Sequence, residues 1–329
     1  MAIRIDFSGV GASELTEEMA RFLSRANCLD GICALTIAEH DDPPQRSIAE
    51  SVCASSRARA TSSLSSDAAG LLRIAWQTEL ASRFAVALDE PSLKRISAPT
   101  LPVNAYYAVF NCRRAFGRVA GTNLDRHNAV ADDFAGRTRR LPLPWSLTLA
   151  GDPEDLETCD LKPPIVKPYS ITPIERSHEP SAYAWAALRM ARRWKVELAR
   201  ESWFNDRKHR KPDGSKRQRL PKGIKKKLAL GLRPTTLYDF LWELRRRANY
   251  ESSDEYGSDV GIADFARFHD GLVALLDAAM LIGETEIARR VGYEALAAAG
   301  SDWMGSARRA GAWATEPLST RLEAIRAVV

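Results

Sequence analysis

Apolar residues recur every three or four positions along most of the chain, which is the spacing of one buried face on an α-helix. The recurrence is clearest over 71–88, 103–120 and 183–204, and Pro99 and Pro102 separate the first two runs. This pattern predicts a mainly α-helical protein. The predicted helices span 14–26, 71–88, 103–120, 125–134, 183–204, 237–248, 265–279 and 284–299, with a last amphipathic stretch after 300.

The first 67 residues have a different pattern. Alternating apolar and polar residues predict a short strand at 2–7, and an apolar run predicts a second strand at 32–38. Prolines and a serine run favour a loop over 41–67, and further prolines predict an extended surface excursion over 137–182. We therefore divide the chain into a mixed or partly flexible N-terminal segment, a helical domain with an insertion, and a helical tail, at 1–67, 68–299 (insertion 137–233) and 300–329.

The composition is that of a folded protein without a membrane span. Hydrophobic residues make up 45% and charged residues 27% of the chain, so a sizeable core can form. No run of about 18 apolar residues and no signal-peptide-like start is present, so we expect a soluble, cytoplasmic protein. The five cysteines form no Cys-x-x-Cys pair and no nucleotide-binding motif occurs, so neither a metal nor a cofactor is expected.

Positive charge is concentrated in one part of the chain. The segment 189–247 contains 20 Lys and Arg residues against 6 Asp and Glu residues, a balance of +14. Because the whole chain has a net charge of +5, the remaining residues carry −9. Such an asymmetry points to a polyanionic partner rather than to a particular fold.

Most of this charge lies in a loop-like stretch, residues 208–227, which we name the basic segment. Cations at this density neutralise phosphates and release counterions, which favours nucleic-acid binding. Trp194, Trp203 and Phe204 precede the segment and offer rings on which unpaired bases stack. The alternative is a solvated loop without a ligand. The candidate nucleic-acid-binding residues are Lys208, Arg210, Lys211, Lys216, Arg217, Arg219, Lys222, Lys225, Lys226 and Lys227.

Two stretches carry aromatic and basic residues in a distinctive order. In the first, a Tyr-Tyr-Ala-Val-Phe run is followed by a glycine, a basic–His pair and a phenylalanine, here 106–110, Gly121, Arg126-His127 and Phe134. The second reads Leu-Arg-Arg-Arg-Ala-Asn-Tyr over 244–250. Together they resemble the HEPN family, helical proteins that include bacterial toxins and defence nucleases.

Resemblance to this family implies a bundle of four or five antiparallel helices, usually dimeric, with a cleft between the protomers. In the ribonuclease members an Arg-x4–6-His motif sits in that cleft, where the arginine holds the scissile phosphate and the histidine moves a proton without a metal ion. By this resemblance Arg245 would hold the phosphate and Asn249 would orient it. The motif's histidine is replaced here by the Tyr, Glu and Ser at 250–252, so Tyr250 or His127 would have to move the proton.

Each candidate also has a structural interpretation. Arg245 and its arginine neighbours can offset the dipole of a helix end, and His127 can be a residue at a helix start. The aromatic residues of 106–116 are expected in the core, with the Tyr107 hydroxyl directed to a buried partner. Three functions stay open: a HEPN-like ribonuclease of a toxin–antitoxin or antiviral-defence system, a non-catalytic nucleic-acid sensor, and an interaction scaffold. The expected partners are RNA or another nucleic acid, a second copy of the chain, and an antitoxin or defence protein.

Overall fold

The computed structural model describes residues 16–40, 44–55, 63–87, 90–151, 180–251, 253–256 and 260–329. Within these ranges the chain is mainly helical, as predicted, and none of the helices has the length and apolar content needed to cross a lipid bilayer. The α-helices are α1 (Glu17–Glu39), α2 (Pro44–Ser55), α3 (Ser66–Ala87), α4 (Pro91–Ser97), α5 (Leu101–Ala120), α6 (His127–Arg137), α7 (Pro180–Asn205), α8 (Ile224–Gly231), α9 (Leu237–Arg246), α10 (Ser253–Tyr256), α11 (Ile262–Val291), α12 (Tyr293–Ala307) and α13 (Glu316–Arg326).

The helix α11 lies at the centre of the fold. Its 30 residues give it a length of about 45 Å, and it contacts α1, α2, α4, α5, α12 and α13. A second set of contacts joins α5 to α3 and α9, and α7 to α1 and α9. Apolar residues from these long helices belong to one hydrophobic cluster, which extends from α1 to α13. The bundle thereby fixes α5, α7 and α9, the helices that carry the predicted site residues.

Two glycines let α11 approach its neighbours closely. A Cβ atom at Gly283 would lie 2.6 Å from Sγ of Cys112 in α5, and one at Gly271 would lie 2.8 Å from Cβ of Leu29 in α1. Heavy atoms in a close-packed interior do not approach each other to such distances. The missing side chains therefore set the separation between α11 and these two helices.

The strand predicted at 32–38 is wrong, because these residues continue α1. Cys28, Ile32 and Leu35 lie about one helical turn apart, and all three are buried. A short apolar run does not by itself distinguish a strand from a buried helix, which is why the pattern misled the prediction. The strand predicted at 2–7 lies outside the described residues.

Helix α2 lies within the loop predicted at 41–67, so that prediction is wrong over the helix. Pro44 begins α2, where its missing N–H costs no hydrogen bond. Ile48, Ala49 and Val52 then bury one face, and α2 contacts α11 and α13. The domain division at 67 stays a prediction, while α1 and α2 share the hydrophobic cluster of the later helices.

Two later predictions also need correction. Residues 284–299 do not form one helix, because α11 includes the first of them and α12 begins after Gly292, whose φ is +88°. The proline-rich stretch 137–182 does not lie wholly on the surface, and its residues 152–179 lie outside the described residues. Four of its apolar side chains turn inward and are buried, namely Leu141, Trp145, Leu147 and Leu149.

Buried charges fasten the last helix to the bundle. The guanidinium of Arg321 in α13 is 1% exposed and donates to the carboxylates of Glu79 in α3 and of Asp277 and Glu284 in α11. The distances of these hydrogen bonds lie between 2.7 and 3.1 Å. Arg83 of α3 pairs with Glu79 and Asp277 as well. Since buried charges are costly unless paired, this network fixes where α13 can dock.

Candidate functional site

The basic segment leaves the C-terminal end of α7 and returns through α8. Nine of its ten predicted phosphate-binding residues are exposed, and Lys225 is half-buried. Asp213 is the one carboxylate between 208 and 227, and it accepts a hydrogen bond from the N–H of Ser215 over 2.8 Å. The positive charge of the segment therefore faces solvent with little internal neutralisation.

The segment is folded back on itself. The N–H of Lys211 donates to the carbonyl oxygen of Ser215 over 3.0 Å, and the N–H of Gly214 donates to the carbonyl oxygen of Lys211 over 2.9 Å. Gly214 has a φ of +80°, a conformation that glycine adopts without steric cost. This tight turn reverses the chain and brings the cations on its two sides onto one surface.

Arg192 of α7 anchors the return of the chain. Its guanidinium is fully buried and donates to the carbonyl oxygens of Gly151 (2.9 Å), Ala229 (2.5 Å) and Arg233 (2.6 Å). These three acceptors belong to the end of the 141–151 stretch, to α8 and to the segment before α9. One cation of the basic region thus serves the fold and not a ligand.

A second group of cations neutralises Asp239 at the start of α9. Arg233 pairs with this carboxylate over 2.7 Å and Lys195 over 3.5 Å, and the carboxylate also accepts from the N–H of Thr236 over 2.9 Å. Although burial opposes its charge, these cations keep the pKa of Asp239 below its usual range. Burial lowers the pKa of Lys195 to about 8, despite the attraction of Asp239. Lys195 and Arg233 are therefore structural cations as well.

α5, α6 and α9 meet at a group of side chains that we name the His–Arg cluster. It consists of Tyr106 and Tyr107 on α5, His127 at the start of α6, and Tyr238 and Arg245 on α9. The Tyr238 hydroxyl donates to the Tyr106 hydroxyl over 2.8 Å, and the latter lies 2.8 Å from Nδ1 of His127. Because Tyr106 accepts from Tyr238, it donates its own proton to Nδ1, which leaves the imidazole proton on Nε2.

Arg245 approaches the same cluster from the other side. Its Nη2 donates to the Tyr107 hydroxyl over 2.7 Å. Its guanidinium carbon lies 5.0 Å from the centre of the Tyr107 ring and 5.5 Å from that of Tyr106, within the range of a cation–π contact. The predicted buried partner of the Tyr107 hydroxyl is therefore Arg245, which is 8% exposed.

The cluster is neutral apart from Arg245 at neutral pH. Burial, and then repulsion from the Arg245 guanidinium, lowers the pKa of His127, so the imidazole is uncharged. Burial raises the pKa of the Tyr106 and Tyr238 hydroxyls, which stay protonated. The half-buried His127 therefore offers an Nε2–H donor beside a fixed positive charge, and such a pair suits a phosphate oxygen.

Aromatic rings extend the cluster towards α7. The His127 ring lies 4.5 Å from Phe110 and 5.9 Å from Trp242, measured between ring centres. Trp242 in turn contacts Trp194 of α7 at 5.7 Å, and the guanidinium of Arg246 lies 5.9 Å from the Trp194 ring. Trp194 is 5% exposed, so this ring is core and not a stacking platform.

The four predicted catalytic residues are only partly brought together. Arg245 and His127 join the same cluster through the two tyrosines of α5. Asn249 is exposed and lies with Tyr250 in a π-helical turn, Arg247–Glu251, so the α-helical spacing expected for 245–250 does not continue. A π turn in a helix is common at functional sites, but it moves these residues to a different angular position.

Sequence reasoning missed Tyr238 and assigned Tyr106 to the core alone. Tyr106 is fully buried and packs among Phe110, Tyr238 and Trp242, so its place in the core is confirmed. Its hydroxyl nevertheless positions His127. The sequence feature that could have revealed this role is the hydroxyl of a tyrosine in a core position, because a buried tyrosine hydroxyl needs a hydrogen-bond partner.

Comparison of the chain with protein-family models, curated proteins and solved structures finds no match. The resemblance to the HEPN family therefore stays a prediction from the two motifs. Over the described part of the chain, no group of three or more His, Cys, Asp or Glu side chains is arranged to hold a metal ion.

Proposed function

We propose that this protein binds RNA through the basic segment. The observation that carries the proposal is the set of nine exposed lysines and arginines in the basic segment, accompanied by a single carboxylate. Phosphates are the common multivalent anions that such a surface attracts, since each neutralised phosphate releases a condensed counterion. A non-catalytic nucleic-acid sensor, acting as a monomer or as a homodimer, is the form of this function that requires binding alone.

A salt titration tests the proposal. The anisotropy of a labelled 20-nucleotide RNA gives the binding constant, and its logarithm should fall with log[salt] by about 0.7 for each phosphate contact. The triple variant Lys208→Gln, Lys211→Gln, Lys222→Gln removes three exposed cations, so the slope should become shallower by about 2. The control Arg308→Gln, Arg309→Gln changes two exposed cations outside the segment. A slope near zero in the unaltered protein would contradict RNA binding.

The second candidate function is metal-independent cleavage of RNA at the His–Arg cluster. The proximity of His127 and Arg245 favours it, because a cation and a neutral imidazole stand in one site. Arg245 would bind the scissile phosphate. His127 would accept the proton of the attacking ribose 2′-hydroxyl at Nε2, in the other neutral tautomer, in which Nδ1–H donates to Tyr106. Asn249 would contact the strand from the π turn. A toxin–antitoxin or antiviral-defence role, with a dimer and an antitoxin as partners, follows from the HEPN resemblance alone.

Burial of Arg245 makes binding the stronger of the two candidates. The guanidinium already donates to Tyr107 and the residue is 8% exposed, so little of Arg245 is open to a phosphate. Labelled RNA incubated in EDTA separates the candidates. The ribonuclease is supported if the RNA is cleaved and if His127→Gln and Arg245→Met each abolish the cleavage. Arg326→Met, at an exposed site, is the control and should leave the cleavage intact. RNA that is bound but not cut identifies a non-catalytic binder.

A further inference from the structure

Two aromatic rings stack on each other where α7 ends and the basic segment begins. The rings of Trp203 and His209 are stacked, with centres 4.3 Å apart and planes inclined by 11°. The Phe204 ring stands edge-on to Trp203 at 5.4 Å. All three side chains are half-buried, unlike Trp194 further back on α7. We name these three residues the ring platform.

Several hydrogen bonds hold the ring platform in place. Nδ1 of His209 donates to the carbonyl oxygen of Trp203 over 3.1 Å. The N–H of His209 donates to the carbonyl oxygen of Asp206 over 3.1 Å, and the Asp206 carboxylate accepts from the N–H of Lys208 over 2.9 Å. The stack is thus fixed before any ligand binds, so a ligand that uses it does not have to order it.

Cations from the far side of the turn close around the platform. Nε of Arg217 donates to the carbonyl oxygen of His209 over 3.0 Å, and Nζ of Lys216 donates to Oδ1 of Asn205 over 2.8 Å. Lys208 and Arg210 flank His209 in the chain. Exposed positive charge and half-exposed rings therefore share one small surface at the end of α7.

We propose that this surface binds single-stranded nucleic acid, with an unpaired base extending the Trp203–His209 stack and the flanking cations on the neighbouring phosphates. This inference rests on the proposed RNA binding and names the form of the substrate. A duplex offers phosphates, but its base faces are covered by their neighbours, whereas a single strand can place a base face on an aromatic ring. An acidic protein surface offers charge without planar bases, so the ring platform would contribute nothing to it.

The test compares three probes of equal length and label: a single-stranded RNA, the same strand without bases, and the corresponding duplex. Anisotropy at fixed salt measures each affinity for the unaltered chain, for Trp203→Leu and for Trp313→Leu. Trp313 is also half-buried but packs on Phe84, away from the basic segment, and serves as the matched control. Trp203→Leu should weaken the base-bearing strand about 5-fold or more and leave the other two probes unchanged.

Three results would overturn the inference, each in a distinguishable way. Equal affinities for the strands with and without bases, both unaffected by Trp203→Leu, leave RNA binding standing and remove base stacking. Equal weakening of all three probes by Trp203→Leu means that the tryptophan only supports the fold of the segment. Salt-dependent binding to polyglutamate as tight as to RNA identifies an acidic protein partner. Absence of binding to every probe, by contrast, is the failure of the proposed function itself.

Discussion

Replacing Arg321 with methionine is expected to lower the free energy of unfolding by about 3–5 kcal/mol at pH 7. The guanidinium is 1% exposed and is shared by Glu79, which is 4% exposed, and Glu284, which is fully buried. Methionine preserves much of the side-chain volume but removes the positive charge that offsets these two carboxylates. Arg83 stays with Glu79, so the largest uncompensated charge should fall on Glu284.

The loss of unfolding free energy caused by Arg321→Met should become smaller as the pH falls. In the native protein Arg321 and Arg83 hold the pKa of Glu79 below its usual value although burial opposes its charge, so Glu79 stabilises the fold at neutral pH and this contribution disappears as pH falls through that lowered pKa. Burial raises the pKa of Glu284 even with Arg321 present. Without Arg321 both pKa values rise, and protonation relieves the buried charge. The difference between variant and parent should therefore shrink between pH 7 and pH 5.

Urea unfolding followed by circular dichroism at the two pH values measures this difference. Arg83→Met is the matched control, because Arg83 is 12% exposed and pairs with Glu79 and Asp277. Arg83→Met should lower the free energy of unfolding by less than Arg321→Met does. If Arg321→Met alone does not fold, the triple variant with Glu79→Met and Glu284→Met should fold again, since it removes the unpaired charges. A loss below about 1 kcal/mol at pH 7, or an equal loss at both pH values, would refute the reasoning.

Three smaller predictions follow from local geometry. Gly283→Ala should destabilise the bundle by about 1–3 kcal/mol in urea unfolding, because its Cβ meets Cys112 at 2.6 Å, and Cys112→Ala should restore much of the loss. Gly121→Ala should cost about 1 kcal/mol, since its φ is +67° but the space around it is open. Arg245→Met should raise the pKa of His127, followed by NMR titration of the imidazole, and an unchanged pKa would mean that burial alone lowers it.

Helical periodicity predicted the long helices because one buried face repeats in each of them. The same rule failed at 32–38, where a short run of apolar residues fits a strand equally well. It also failed at Pro44, because proline can begin a helix as readily as it ends one. The extent of α11 was missed since its central residues are buried on several sides, so its apolar pattern gives no clear boundary before Gly292.

The two candidate surfaces differ in how far the sequence foretold them. Charge density alone identified the basic segment, because residues 208–227 contain a single carboxylate, Asp213, among their lysines and arginines. The sequence could not separate these from Arg192 and Arg233, whose partners are backbone carbonyls and Asp239. Nor could it place His127 near Arg245, since their proximity depends on how α6 packs beside α9 and α5.

Helix α7 joins these two surfaces and suggests how long a bound strand has to be. Trp203 in the ring platform and Trp194 beside the His–Arg cluster are nine residues apart, which is about 13 Å of rise along the helix axis and about half a turn around it. Stacked nucleotides advance by about 3.4 Å, so about four of them cover the rise. A path that also follows the half turn around a helix about 10 Å wide needs about six. Arg193, which is exposed, and Arg200, which pairs with Glu197 at 2.7 Å, lie seven residues apart on one face of α7 and can contact phosphates between the two surfaces.

The affinity for RNA should therefore rise with oligonucleotide length up to about six nucleotides. The Arg193→Gln variant should show a smaller rise. If the affinity already reaches its maximum at three nucleotides, the strand binds at the ring platform alone and does not extend to the His–Arg cluster.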